Sequence, residues 1–251
     1  MYAQHYKFDG LPFQLTPDSR FFFGSRGHSK AIAHLNYGLA QGEGFIVVTG
    51  EIGAGKSTLV AHLLATIDRA RLNAVSLVST QVEGDDMLRL VAQGLGLAGD
   101  GPKARVLDEV ERKLSDEARR GRRTLLVVDE VQSLSVSALE ELRMLSNFTS
   151  QGRALVQIFL LGQPEFRAKL GEGGLEQLRQ RVIATHHLEP MEANEVEPYL
   201  VHRLTVAGWT GRPGFTADAF SACSICFGNC SSAAISLRAS LSASAPRTWA
   251  R

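Results

Sequence analysis

At 251 residues the chain has room for one large domain, or a main domain with a small appendage, at roughly 150 residues per domain. It carries 27 Lys and Arg against 26 Asp and Glu, a formal net charge of +1, so overall charge attracts neither nucleic acid nor an anionic membrane, and any such contact has to be local. A composition of 44% hydrophobic and 21% charged residues excludes a disordered or collagen-like chain, and the longest apolar runs, Phe45–Val48 and Ile158–Leu161, fall far short of the ~20 residues of a membrane helix.

The first ten residues show neither the basic nor the apolar region of a secretory signal, which predicts a cytoplasmic protein. The next stretch is aromatic and broken by proline: Phe8, Pro12, Phe13, Pro17 and Phe21 to Phe23. Proline prevents a regular helix, and so many Phe residues in irregular chain need a surface to bury against, either their own domain or a neighbouring subunit. A helix is predicted over 29–39. From there short β-branched runs alternate with longer amphipathic stretches, the pattern of helices packed on a mostly parallel sheet. Strands are predicted at 45–49, 74–79, 125–129, 155–161 and 182–188, all read as buried on both faces. Helices are predicted at 57–69, 85–94, 103–119, 137–147, as a short pair within 164–180, and at 192–207. The stretch 208–214 reads as a turn cluster. Beyond Phe220 the composition shifts to Ser, Ala and Cys, and all three cysteines (Cys223, Cys226, Cys230) fall there.

Chemistry enters with Gly50-Glu-Ile-Gly-Ala-Gly-Lys-Ser57, which fits G-x-x-x-x-G-K-S/T and sits directly after a predicted strand and before a predicted helix. Gly50, Gly53 and Gly55 let the loop fold back so that the N–H groups along Glu51, Ile52, Ala54 and into Thr58 point inward, where the helix N-terminus adds its positive end. Lys56 then supplies a point charge to the β and γ phosphates of ATP, and Ser57 offers a hydroxyl to Mg²⁺. The expected partner is Thr124-Leu-Leu-Val-Val-Asp-Glu130, a buried strand ending in two carboxylates. Asp129 is expected to hold Mg²⁺ through its water shell, and Glu130 to orient and polarise the attacking water.

With both motifs in place the chain resembles the AAA+ ATPases of the ExeA/GspA type, most closely those associated with the exosortase (XrtA/PEP-CTERM) system. The resemblance covers roughly residues 1 to 220. It rests also on Tyr6-x-Phe8 through Pro12-Phe13, Leu15-Thr-Pro-Asp18, Phe21-Phe-Phe-Gly24 and Gln41-Gly-Glu-Gly-Phe45, and on Leu139 to Asn147, Leu161-Gly-Gln-Pro-Glu-Phe166 and Leu178-Arg-Gln-Arg-Val182. The implied fold is a P-loop αβα sandwich with a five-stranded, mainly parallel sheet. The implied organisation is an aromatic segment and helix (1–40), a nucleotide-binding core (41–190) and the start of a helical lid (191–220). The resemblance places Gln163 as sensor 1, an amide for the γ-phosphate and lytic water, against the alternative of a turn-capping residue before Pro164. It places Arg179 and Arg181 in the block that supplies the arginine finger to a neighbouring subunit, Arg181 preferred. The alternative is a solvated helix face with Arg179 paired to Glu176 or Glu172.

In the family a lid with a Gly-Gly-x-Pro-Arg-Arg-like sensor 2 follows, and nothing here is in register with it. Residues 221–251 are read as an out-of-frame version of that lid, since one choice of codons for 231–239 lets a shifted frame read a sensor-2-like string; a divergent small-residue tail is the alternative. The cysteines lack a fourth ligand for a metal, with His202 the closest candidate. Arg119-Arg-Gly-Arg-Arg123 reads as a solvated helix end before a nucleic-acid contact, and His186-His187 as strand packing.

The sequence therefore predicts a Mg²⁺-dependent ATPase. The family resemblance implies a homo-oligomer, ring or filament, that serves secretion, exopolysaccharide or exosortase proteins at the inner membrane, with nucleic acid not expected. A transposition-helper DNA ATPase and a hydrolytically weak nucleotide-binding module are the rival readings.

Overall fold

The computed structural model describes residues 2–14, 18–78, 82–211 and 214. In chain order the elements are α1 (Tyr2–His5), a 3-10 turn (Ser19–Phe21), α2 (Arg26–Gln41), β1 (Phe45–Gly50), α3 (Lys56–Thr66), β2 (Leu72–Val78), α4 (Gly84–Gly94), α5 (Lys103–Arg119) and β3 (Arg123–Asp129). A second 3-10 turn (Val131–Ser133) leads to α6 (Val136–Leu145), β4 (Thr149–Ser150), β5 (Arg153–Ala154), β6 (Val156–Gly162), α7 (Glu165–Gly171), α8 (Glu176–Arg179), β7 (Val182–Leu188) and α9 (Ala193–Val206). The described residues of Met1–Lys30, Glu51–Ala65 and Glu189–Arg251 form one compact unit, and Ala31–Gly50 with Thr66–Leu188 form the other.

In the larger unit five strands lie in the order β2-β3-β6-β1-β7, every neighbouring pair parallel. The three central strands are the apolar runs of the sequence, and β1 and β6 are buried along their whole length. The outer strands differ from expectation. β2 mixes buried with more exposed positions and β7 is half-buried or exposed up to Leu188, because an edge strand lacks a neighbour on one side. One face of the sheet, through Phe45, Val47, Leu126, Val128, Ile158 and Leu160, packs on helices whose apolar residues recur one turn apart: Val106, Val110 and Leu114 of α5, and Leu139, Leu142 and Leu145 of α6.

Several unexpected details have local causes. α3 stops at Thr66, before the predicted end, where the Asp68 carboxylate accepts the Ala70 N–H and turns the chain. β4 and β5 pair antiparallel around Gln151 and Gly152, both at positive φ, a two-residue hairpin whose strands are too short to show a period. The basic run is structural: Arg122 meets the buried Glu117 carboxylate at 2.6 Å, Arg123 donates to the Leu39 carbonyl at 2.9 Å, and Arg119 pairs with Asp116. Buried Gln157 of β6 donates its amide to the carbonyls of Gly38 (2.7 Å) and Glu43 (3.0 Å), fixing the end of α2 and the turn into β1. No helix among the described residues is long and apolar enough to cross a membrane.

The smaller unit answers where the N-terminal aromatics go. Phe8, Phe13 and Phe21 bury against Val196, Leu200 and Leu204, the apolar stripe of α9, and Ala207 just past its end. Arg203, on the same helix, donates Nε to the Pro12 carbonyl and Nη1 to the Tyr199 hydroxyl at 3.0 Å, and its guanidinium lies 5.0 Å from the Phe21 ring centre. Asp18 accepts the Arg20 N–H and guanidinium, which hold its carboxyl down at about 2. The tail read as out of frame, and its cysteines, lie outside the described residues.

Phe13 is only 1% exposed, so Phe13→Ala should lower unfolding stability by about 3–5 kcal/mol, whereas Leu11→Ala, at a side chain 39% exposed, should change it by about 0.5 kcal/mol or less. Denaturant unfolding of the two variants checks this, and equal losses would mean that the aromatic segment does not bury on α9 as described.

Candidate functional site

β1 ends on Gly50, and the loop 51–55 leads into α3. Gly53 and Gly55 take φ of +80° and +89°, conformations that side chains rarely adopt, and the Ala54 N–H closes a turn onto the Glu51 carbonyl at 3.1 Å. Leu59 N–H bonds the Gly55 carbonyl at 2.8 Å, the first rung of α3, so the N–H groups of Lys56, Ser57 and Thr58 head the helix ahead of its internal ladder. That is the anion-attracting end of an eleven-residue helix. Lys56 is 6% exposed and donates Nζ to the Glu51 carbonyl at 3.0 Å, placing its ammonium against the loop it belongs to. Glu51, Ile52 and Gly53 are exposed; Ser57 and Thr58 are half-buried.

In the larger unit the parallel strands put Gly50, Asp129 and Gly162 at the same edge of the sheet, with β6 between β1 and β3. Asp129 closes β3, and its Oδ1 accepts the Glu130 N–H at 2.9 Å. Glu130 itself stands in the left-handed region at φ +57°, a conformation that costs a non-glycine residue roughly 1 kcal/mol. Its carboxylate is held from two sides. Gln132 Nε2 donates to Oε2, and Gln163 Nε2, one residue beyond β6, approaches the same oxygen at 3.4 Å. Gln132 also accepts the Gln163 N–H through Oε1 at 3.0 Å, so a single amide ties the ends of β3 and β6 together. Gly162 leaves it room, since a Cβ there would lie 2.8 Å from Val131 Cγ2 and 3.1 Å from Gln132 Oε1. Lys169 of α7 donates to the Gln132 carbonyl at 3.3 Å and to that of Leu134, holding the turn.

Glu130 and Gln163, both singled out from sequence, therefore meet. Gln132 and Lys169 were not singled out, because neither sits in a motif or on a period and each is identified only by the strand ends it joins. Gln163 also serves the turn reading, as its carbonyl accepts the Phe166 N–H at 3.0 Å. Arg179 is exposed and pairs with Glu176 at 3.4 Å. Arg181 precedes β7 at the opposite edge of the sheet, about 20 Å of strand from the Glu130 edge at ~3.3 Å per residue. There its Nη1 lies 3.4 Å from the carbonyl and hydroxyl of Ser146, and it lines a groove of about 340 Å³ with Glu43, Asn147 and Gln180. A seryl hydroxyl and a carboxylate, the donors expected of Ser57 and Asp129, are hard oxygen ligands of the kind that suit Mg²⁺ with water completing its shell.

Residues 39–170, just over half of the chain, match the family model described as an AAA domain. Over 221 residues the chain is 34% identical to General secretion pathway protein A of Aeromonas hydrophila, a match covering 87% of this chain and 40% of that protein, so the chain spans less than half of the relative's length. Among solved structures it is similar to the Aeropyrum pernix ORC2 protein in ADPNP and ADP complexes, with TM-score 0.69 and 17% identity over 92% of this chain and 65% of that one. Cdc6p from Pyrobaculum aerophilum gives 0.64 at 14% identity, covering 85% and 57%, and domain III of the Thermotoga maritima replication initiation protein DnaA gives 0.52 at 18%, covering 84% and 82%. Likenesses of this low identity establish the fold. With its five-stranded parallel sheet, its glycine loop after β1 and its match to the family model, the chain belongs to the AAA domain family as a relative of general secretion pathway protein A.

Proposed function

We propose that the chain binds ATP with Mg²⁺ through residues 50–58 and hydrolyses it, Glu130 orienting the attacking water. The observation that carries this reading is the Glu130–Gln132–Gln163 array at the ends of adjacent strands. A carboxylate fixed by two amides is oriented before any substrate arrives, and positioning and electrostatics supply most of the catalysis in phosphoryl transfer. Lys56 carries charge for the β and γ phosphates, and the leading N–H groups of α3 complete the anion site. Ser57 and Asp129 would hold Mg²⁺, which when bound neutralises phosphate charge. Gln163 is placed by this reading as the amide that senses the γ-phosphate while also bracing Glu130.

The finger role of Arg181 is proposed in trans. Its station at the sheet edge remote from Glu130 supports that choice, because within one chain a guanidinium there is a strand's length from the carboxylate. Arg179 is the second candidate, held only by an exposed ion pair that yields easily. The chain would then work as a homo-oligomer, with α9 opening the lid. Its setting is proposed as a cytoplasmic, inner-membrane-peripheral ATPase of a secretion, exopolysaccharide or exosortase system. Kinship with general secretion pathway protein A supports the first of these, and the exosortase assignment rests on the sequence blocks alone.

Lys56→Ala should raise the dissociation constant for ATP by about a hundredfold or more, while Glu130→Gln should keep affinity and lose turnover by about a hundred- to a thousandfold. Wild-type turnover in Glu130→Gln would refute the assignment. Gln132→Ala, which frees both the Glu130 carboxylate and the Gln163 N–H, should lower kcat by about tenfold or more with KM little changed; steady-state kinetics checks the split. If Arg181 acts across a boundary, specific activity rises with protein concentration, and mixing Arg181→Ala with Glu130→Gln restores part of the turnover that neither shows alone. Full activity of Arg181→Ala at every concentration would eliminate the finger.

A further inference from the structure

Gly55 is the last residue before α3, and its Cα faces the imidazole of His28. A Cβ at this position would lie 2.6 Å from His28 Nε2 and 3.4 Å from Cε1, so the ring occupies the space where any other residue would put its side chain. Two separate constraints thus require glycine at 55, the φ of +89° and this neighbour. The imidazole is itself firmly held. His28 is 9% exposed, in the first turn of α2; Ser25 Oγ accepts its backbone N–H at 3.2 Å and lies 2.7 Å from Nδ1. That hydroxyl pins the ring at Nδ1, while Nε2 is the ring atom that faces Gly55.

Phe22 makes the second grip. Its ring meets the His28 ring edge-on at 5.7 Å and lies flat on His62, with centroids 3.9 Å apart and planes 12° apart. His62 belongs to the second turn of α3, the helix that Gly55 begins. Residues 22–28 therefore touch both the hinge of the loop and the helix it feeds. Their own anchorage lies elsewhere: Phe23 turns the opposite way, 5.9 Å from the Tyr199 ring and 5.7 Å from that of His202, and Glu195 Oε1 accepts the Arg26 N–H at 2.8 Å. A loop braced from a support tied to another helix keeps its shape without a ligand, and preorganisation of this kind lowers the ordering cost of binding.

We propose that His28, clamped by Ser25 and Phe22, is a positioning residue for the phosphate loop, setting the turn at Gly55 from which the anion-binding N–H groups of α3 project. The inference rests on the reading of residues 50–58 as an ATP site.

The test compares the full-length wild type with His28→Ala, His28→Gln and Ser25→Ala, measuring the dissociation constant for a fluorescent ATP analogue with Mg²⁺, the melting temperature without nucleotide, and kcat and KM for ATP. His28→Ala should weaken binding roughly tenfold or more, as small misplacements of binding groups do, and raise KM in step while kcat at saturation stays within about twofold. His28→Gln, whose amide reaches the position of Nε2, should regain most of the affinity even if its melting temperature matches that of His28→Ala. A purely structural role would give the reverse, with melting temperature lowered and affinity of the folded fraction unchanged, and that result overturns the inference. Should His28→Ala fail to fold, Ser25→Ala, which only loosens the ring, is expected to lose affinity about threefold, and an unchanged affinity there overturns it equally. A wild type that binds no nucleotide refutes the ATP site itself and the inference with it, whereas a tightly binding wild type with an equally tight His28→Ala refutes the inference alone.

Discussion

Parallel strands end together, and that constraint organises the larger unit. With β1, β3 and β6 running the same way, the groups that follow Gly50, Asp129 and Gly162 all emerge at one edge of the sheet, each set by the register of its strand. Their spacing is fixed by backbone hydrogen bonds that an apolar core of Val, Leu, Ile and Phe keeps dry. Among the described residues buried polar groups are few, and they are not all satisfied: the buried Thr124 hydroxyl on β3 has no hydrogen-bond partner. Gln157 spends both amide hydrogens on the carbonyls that lead into β1, and Gln132 spends its oxygen and nitrogen on neighbouring strand ends. Chemistry is confined to the edge because the interior admits nothing else.

The smaller unit solves a different problem. An aromatic, proline-broken segment cannot satisfy itself with regular structure, so it borrows the apolar stripe of α9, nearly two hundred residues away in the chain. Arg203 fits this interface by lying across aromatic rings while its donors reach a carbonyl and a phenol. Lysine has no planar fork to do both. Such long-range closure means that the N-terminal segment and α9 gain order together.

How far the sequence could be read depends on what makes its signals strong. Apolar runs of about four residues located the three central strands of the main sheet, and Gly50 to Ser57 located the loop, because spacing and residue type are dictated by backbone geometry. Edge exposure in β2 and β7 was not visible, since Val and Leu occur at edges and in centres alike. The β4–β5 hairpin hid behind a glutamine in a left-handed turn, where Asn or Gly gives the usual signal. Glu130 came from the strand-end motif and Gln163 from family likeness, but their contact with each other, like those of Gln132, His28 and Lys169, joins residues far apart in sequence, and no one-dimensional pattern marks such contacts.

Glu130 illustrates a tension between folding and use. The backbone at this position favours glycine, and the chain instead keeps a carboxylate there at a conformational cost of roughly 1 kcal/mol. A collection of variants sorted purely for resistance to heat would therefore drift toward Gly or Asn at 130 and would lose the carboxylate, while each clone looked improved by the criterion that chose it. Engineering of this scaffold for robustness has to hold that one position fixed and look for its gains elsewhere.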